Sequence, residues 1–165
     1  MFNQQKSKLE NVAVKREMDQ DLIQGGTSGP TVSAYRKAVD IMGSKSDVEI
    51  QLLAIPGIRH PSVTDYAISA VESRFDAMYI MDIEERDSLN TVITSSAVVA
   101  GIGSANVGYT VNAFKNRALD SSFAAAYFPD VVITDETTGN IVVVPPTVAA
   151  LGAFSLNDAV AHPWF

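Results

Sequence analysis

Glu49–Asp82, EIQLLAIPGIRHPSVTDYAISAVESRFDAMYIMD, decides the fold. It opens with a short apolar run, Glu49 to Ile55, that stops at Pro56-Gly57, the pattern of a strand running into a turn. Pro61 and Ser62 then start the most regular periodic segment of the chain. Val63, Tyr66, Ala67, Ala70, Val71 and Phe75 follow the i, i+3, i+4, i+7 rule and form one apolar helix face, with Asp65, Ser69, Glu72 and Asp76 on the other. Ser62 with Asp65 three residues later has the form of an N-terminal cap, with an acid in the electropositive first turn. Ala77 to Met81 is a second strand, ending at Asp82. Two strands joined by a helix of this length form a βαβ unit, so the strands are expected to pair in parallel with a right-handed crossover.

The elements on either side extend the same architecture. Ala34 to Met42 reads as a helix closed by Gly43, and Gly25–Pro30 (GGTSGP) as a flexible boundary. Residues 1–30 are therefore expected to be an arm or linker, and residues 31–165 an α/β domain. Downstream, Leu89, Val92, Ile93, Ala97 and Ala100 have helical spacing over about 86–99, although the β-branched residues there also suit a strand. Gly101, Gly103 and Gly108 interrupt it. Val107 to Leu119 is expected to be helical with Val111, Phe114 and Ala118 inward. Ser122 to Tyr127 reads as extended, its alanines permitting close backbone approach. Val131–Thr134 and Asn140–Val144 are dense β-branched runs around Asp135–Gly139, a hairpin. Pro146 suits the first turn of a short helix over Thr147–Phe154. The expected class is α/β, or α+β mixed: a central mixed sheet with flanking helices and a β-hairpin.

Composition bounds the function. At 165 residues the chain fits one domain able to bury a proper core, and 47% hydrophobic against 19% charged residues is a globular composition. There is no cysteine, which removes disulfides, thiolate metal sites and cysteine nucleophiles. Two histidines, His60 and His162, argue against a multi-histidine metal site. The net charge of −7 argues against a nucleic-acid-binding face. No apolar run reaches the length of a membrane span, and the N-terminal residues have no signal-peptide core. Residues 1–50 are neutral and all of the excess acid lies in 51–165. After Arg117 there is no basic residue, while Asp120, Asp130, Asp135, Glu136 and Asp158 follow. Such a surface keeps a protein soluble, or meets a basic partner.

Catalytic patterns are weak. Gly101–Gly108 is G-x-G-x-x-x-x-G without a clear preceding strand, so a loop is expected rather than a dinucleotide site. Asp82, Glu84, Glu85 and Asp87 follow a strand end, where open α/β sheets bind ligands. They could hold Mg²⁺ through oxygen atoms, but with Arg86 among them a solvated acidic loop is the commoner outcome. His60 could be a general base, yet without a partner in view a surface or capping role fits better. Asp120-Ser121-Ser122 lacks a third triad member, and these residue types before a strand are usually caps and turns. No catalytic, cofactor or metal residues are assigned. Two enzyme-side or binding alternatives stay open: a small metal-dependent enzyme using the strand-end acids, and a monomeric binding adaptor.

Asp120–Pro129, DSSFAAAYFP, resembles the D-S-S-Y-A-A-x-Y-Y-P-W segment of contractile tail sheath proteins of bacteriophages and related injection machines. Phe123, Tyr127, Phe128 and Pro129 fit, and Asp130 stands where that family has tryptophan. Val144-Pro145-Pro146-Thr147 is similar to its V-P-P-S, with Gly152 and Asp158 at the places of its A-G and R-T-D elements and Leu156 in place of the arginine. Leu52–Ser62, LLAIPGIRHPS, is similar to its strand–P-G–helix start. The resemblance implies a non-enzymatic structural subunit without a cofactor. Such subunits form hexameric rings stacked helically around an inner tail tube protein, between baseplate and terminator proteins, in a virion tail assembled in the host cytoplasm. It implies no nucleic-acid partner and no stable membrane association. Contraction would drive the tube through the target envelope by rigid-body movement at bistable interfaces. Terminal extensions would be exchanged between neighbours as added strands. It also implies a chain truncated within the core domain, since the family's chain continues well beyond the Asp158 element, and the terminal aromatics Trp164 and Phe165 suit a docked end. Under this reading Asp130, Asp135, Glu136, Asp158, Trp164 and Phe165 are expected at subunit or tube contacts.

Overall fold

The computed structural model describes residues 29–92 and 105–162. Nearly all of the N-terminal arm, the second half of the middle helix expected at about 86–99, the glycines at 101 and 103, and Trp164 and Phe165 lie outside these residues. The fold is mixed α/β. In chain order the elements are α1 (Pro30–Gly43), β1 (Leu52–Ala54), α2 (Pro61–Arg74), β2 (Met78–Asp82), α3 (Val107–Lys115), β3 (Ala124–Tyr127), the hairpin strands β4 (Val131–Thr134) and β5 (Ile141–Val144), and α4 (Pro146–Val160). Parallel and antiparallel pairing both occur, in two separate ladders. One is a three-stranded parallel sheet in the order β1-β2-β3 and the other is the β4–β5 hairpin.

The βαβ unit forms as its periodicity requires. Leu52 pairs with Met78 and Ala54 with Ile80 in parallel register, and β3 extends the ladder with Tyr79 opposite Ala124 and Asp82 opposite Tyr127. Helix α2 buries Val63, Ala67, Ile68 and Val71. Ala67, Ile68 and Val71 meet Leu53, Tyr79 and Met81 of the sheet, Ile83 just beyond β2 and Val39 of α1 in one cluster, while Val63 packs with Val32 and Ile58 in a second. Each fully buried aliphatic side chain of this kind contributes roughly 1.5–3 kcal/mol of transfer free energy. The three alanines of β3 do permit close approach: Phe123 and Ala124 pack against the first cluster.

Four details differ from the periodicity. Phe75 follows the last turn of α2 in a left-handed conformation, φ 62°, and is 75% exposed, meeting Phe123 edge-on rather than the core. The helix ends one residue before the apolar pattern does. Arg74 takes the buried place instead, because its guanidinium donates to the carbonyls of Met42 and Val48 and pairs with Asp76, tying α1 and the following loop to α2. Helix α3 stops at Lys115, short of the expected Leu119; Val111 faces outward, Ala118 lies exposed beyond the helix end, and Thr110 is fully buried. Its hydroxyl accepts a hydrogen bond from the Arg86 amide at 2.9 Å, a polar anchor that hydrophobic spacing does not register. Finally, the described part of the segment expected to be helical over about 86–99 is a loop. Arg86 and Val92 form an isolated antiparallel bridge, and the Asp87 carboxylate accepts from the amides of Leu89 and Thr91 and the Thr91 hydroxyl. A short acid that satisfies three local donors competes with the helical ladder and wins.

Candidate functional site

The carboxyl ends of β1, β2 and β3 bring together most of the chemistry-bearing side chains. Gly57 follows β1 with φ 81°, a conformation that suits glycine, and aims its amide at β2. There the Asp82 carboxylate, 1% exposed, accepts from Gly57 N at 2.9 Å, from Thr147 N at 3.0 Å and from Thr147 Oγ1 at 2.8 Å. Thr147 lies in the first turn of α4, so the acid also sits at the electropositive end of that helix. Beside it, Arg59 Nη2 lies 2.5 Å from Asp130 Oδ1, and Arg59 Nη1 lies 3.9 Å from Glu85 Oε1. The Asp130 amide donates to that same Glu85 oxygen at 2.6 Å. All three side chains of this cluster are less than a tenth exposed.

Ligand chemistry at a strand edge needs converging groups with spare valence. Here the groups converge and are already bonded to one another. Asp82 satisfies three protein donors, Glu85 and Asp130 face Arg59, and Asp87 closes its own loop. Among the described residues no three acids or histidines are grouped to hold a metal ion. His60 caps α2: its Nδ1 accepts from the Ser62 amide at 3.3 Å and lies 2.7 Å from the Ser62 hydroxyl. The cap expected at Ser62 therefore belongs to His60. Ser121 Oγ accepts from the Phe123 amide, a turn role. A cleft of about 120 Å³ opens near this edge between Pro61, Ile83, Arg86, Phe114 and Arg117, with Arg117 held by Thr64 and Asp65.

The acids named as contact residues separate. Asp130 is inside, on Arg59. Asp135 opens the hairpin turn, accepting from Thr137 N and the Thr138 hydroxyl, and these bonds hold its carboxyl below the usual carboxylate range. Glu136 is exposed beside it and Asp158 is exposed on α4.

The other feature of this half of the molecule is uncovered apolar surface. In the hairpin Val132 is 65% and Ile141 73% exposed, and along α4 Leu156 is 63% and Val160 74% exposed. Only Pro146 and Thr147 of α4 are buried, although most of the helix's residues are apolar. The sequence carried this signal: VVIT and IVVV do not alternate, so both faces of each strand are apolar and one hairpin cannot cover them. It carried no signal that Arg59, Thr147 and Asp82 share one edge, since 65 residues separate Asp82 from Thr147.

Against protein-family models, curated proteins and solved structures the chain has no match.

Proposed function

We propose that this chain is a structural subunit of a contractile tail sheath. It polymerises in stacked hexameric rings around an inner tail tube protein and moves as a rigid body when the sheath contracts, with no covalent chemistry of its own. The observation that carries this reading is the exposed apolar residues of the hairpin and α4, Val132, Ile141, Leu156 and Val160, which suit contact between subunits.

A second feature supports it. The three stretches that resemble sheath proteins meet at one place. Gly57 of the first bonds Asp82, Thr147 of the third bonds Asp82, and Asp130, just after the second and standing where that family has tryptophan, bonds Arg59 of the first. Segments far apart in sequence are held together by their shared edge, which is what a rigid brick requires. Of the strand-end acids that a metal enzyme would use, Asp82 and Glu85 are engaged in that same edge, Glu84 pairs with Arg86 and Asp87 is bonded within its own loop. Asp135, Glu136 and Asp158 remain at the surface, where they supply salt-sensitive contacts to a tube or neighbouring subunit.

Negative-stain microscopy of the purified full chain tests the reading. Ring stacks or tubes are expected at high protein concentration, and discrete particles at every concentration would refute it.

A further inference from the structure

The distribution of unpartnered charge on the exposed helices points to a specific contact between copies. Helix α3 presents Val107, Val111 and Lys115 at i, i+4 and i+8, one stripe about 12 Å long at 1.5 Å per residue. Val107 is 62% and Val111 49% exposed, and the stripe ends in a lysine. Described residues 105–119 contain Lys115 and Arg117 and no acid. Helix α4 presents Leu151, Phe154 and Asp158 on a stripe of similar rise, ending in an acid, within a segment that has acids and no base. Neither Lys115 nor Asp158 has a side-chain partner among the described residues.

We propose that α3 of one copy lies along α4 of the next, in parallel, with Val111 against Phe154 and Lys115 against Asp158. The spacing matches because each stripe sets an apolar residue four positions before its charge. Each charge falls at the rim of an apolar contact, where it selects partner and register more than it adds affinity. Repeated head-to-tail, the contact generates a ring or an open helix, whereas making it twice about a two-fold axis would give a closed pair. The inference rests on the sheath reading and names one of its subunit interfaces. The opposite side of α4, with Leu156 and Val160, lies outside this contact.

Charge reversal tests it, because both residues are exposed and the fold is expected to survive, as far-UV circular dichroism would verify. The full chain and its K115E and D158K variants are compared by sedimentation velocity across protein concentration at ~0.02 M and ~0.5 M salt. The parent is expected to associate more strongly at low salt. Each variant alone, facing like charges across the contact, is expected to associate about tenfold more weakly or worse. Mixing the two variants is expected to restore association, because every contact in an alternating array then pairs opposite charges. If both variants assemble as the parent does, the α3–α4 contact is refuted and the sheath reading stands. A parent that stays monomeric throughout refutes both. Mixing rescue that yields only small closed particles keeps the contact and refutes the sheath. The neutral variants K115Q and D158N supply the same comparison, with a smaller effect, if a reversed chain misfolds.

Discussion

Replacing Asp82 by alanine should be among the most destabilising single truncations of a polar side chain. The carboxylate is buried and accepts three hydrogen bonds, from two backbone amides and a hydroxyl. D82A leaves the amides of Gly57 and Thr147 without acceptors, both in buried residues. An unsatisfied buried donor costs about 1–3 kcal/mol, and bonds to a charged group are worth about 1.5–3 kcal/mol each. Allowing for partial hydration of the cavity, the loss is expected at about 3–5 kcal/mol, a large share of the ~5–15 kcal/mol typical of a domain.

D82N discriminates more finely. Asp82 Oδ2 serves Gly57 and the Thr147 hydroxyl, while Oδ1 serves the Thr147 amide. An asparagine has one acceptor oxygen. In either orientation its NH₂ group faces one backbone amide and strands it, so the expected cost is about 1–3 kcal/mol. T147V removes only the hydroxyl and is expected to lie at the low end of that range. Urea denaturation followed by far-UV circular dichroism measures the order, wild type above T147V and D82N above D82A. D82A within about 1 kcal/mol of wild type, at an unchanged denaturant slope, would refute the account of this edge.

Three further outcomes follow from other groups. Tyr79 is fully buried, its hydroxyl has no hydrogen-bond partner among the described residues, and burial pushes its pKa well up. Y79F should therefore be neutral or stabilising by about 1 kcal/mol in the same urea assay, and a loss of more than that would reveal a bond the geometry lacks. Arg59→Ala leaves the carboxylates of Asp130 and Glu85 facing each other without their shared cation, and is expected to cost about 3–5 kcal/mol, read as a fall in denaturation midpoint. Asp76, Asp87 and Asp135 are held below the ordinary carboxyl range, chiefly by bonds from Arg74, Thr91 and Thr138 respectively. The unfolded chain thus takes up protons first as pH falls, so their contribution is intact above about pH 4 and is lost in more acid solution. Tm should fall across that acid range, and D87N should shrink the fall.

What could be read from the sequence was whatever repeats at the period of an element. The β1-α2-β2 unit, the hairpin and the proline-led start of α4 each carry such a signal. Phe75 was misplaced because its spacing continues the helical pattern one step beyond the residue where the chain turns left-handed. Thr110 was missed because periodicity counts apolar residues and a buried threonine serves as a polar anchor. Asp82 was legible as a strand-end acid, which suits a ligand equally well. Its true occupation depends on Thr147, and pairing across that distance leaves no local trace. Asp130 looked like surface charge for the same reason, with Arg59 supplied from another loop. The exposed apolar residues of α4 were readable in principle, since Val148, Leu151, Phe154, Leu156 and Val160 are too many for one buried stripe.

The Asp82 junction also determines how the molecule would respond to pulling. Helix α4 is fastened through Thr147 to Asp82 at the end of β2, the middle strand of the parallel sheet, and Asp82 in turn holds the turn after β1 through the Gly57 amide. Tension applied along that helix therefore enters the sheet at its centre and is divided between two ladders. Both would have to shear at once, where a pull on an edge strand would unzip one bond at a time.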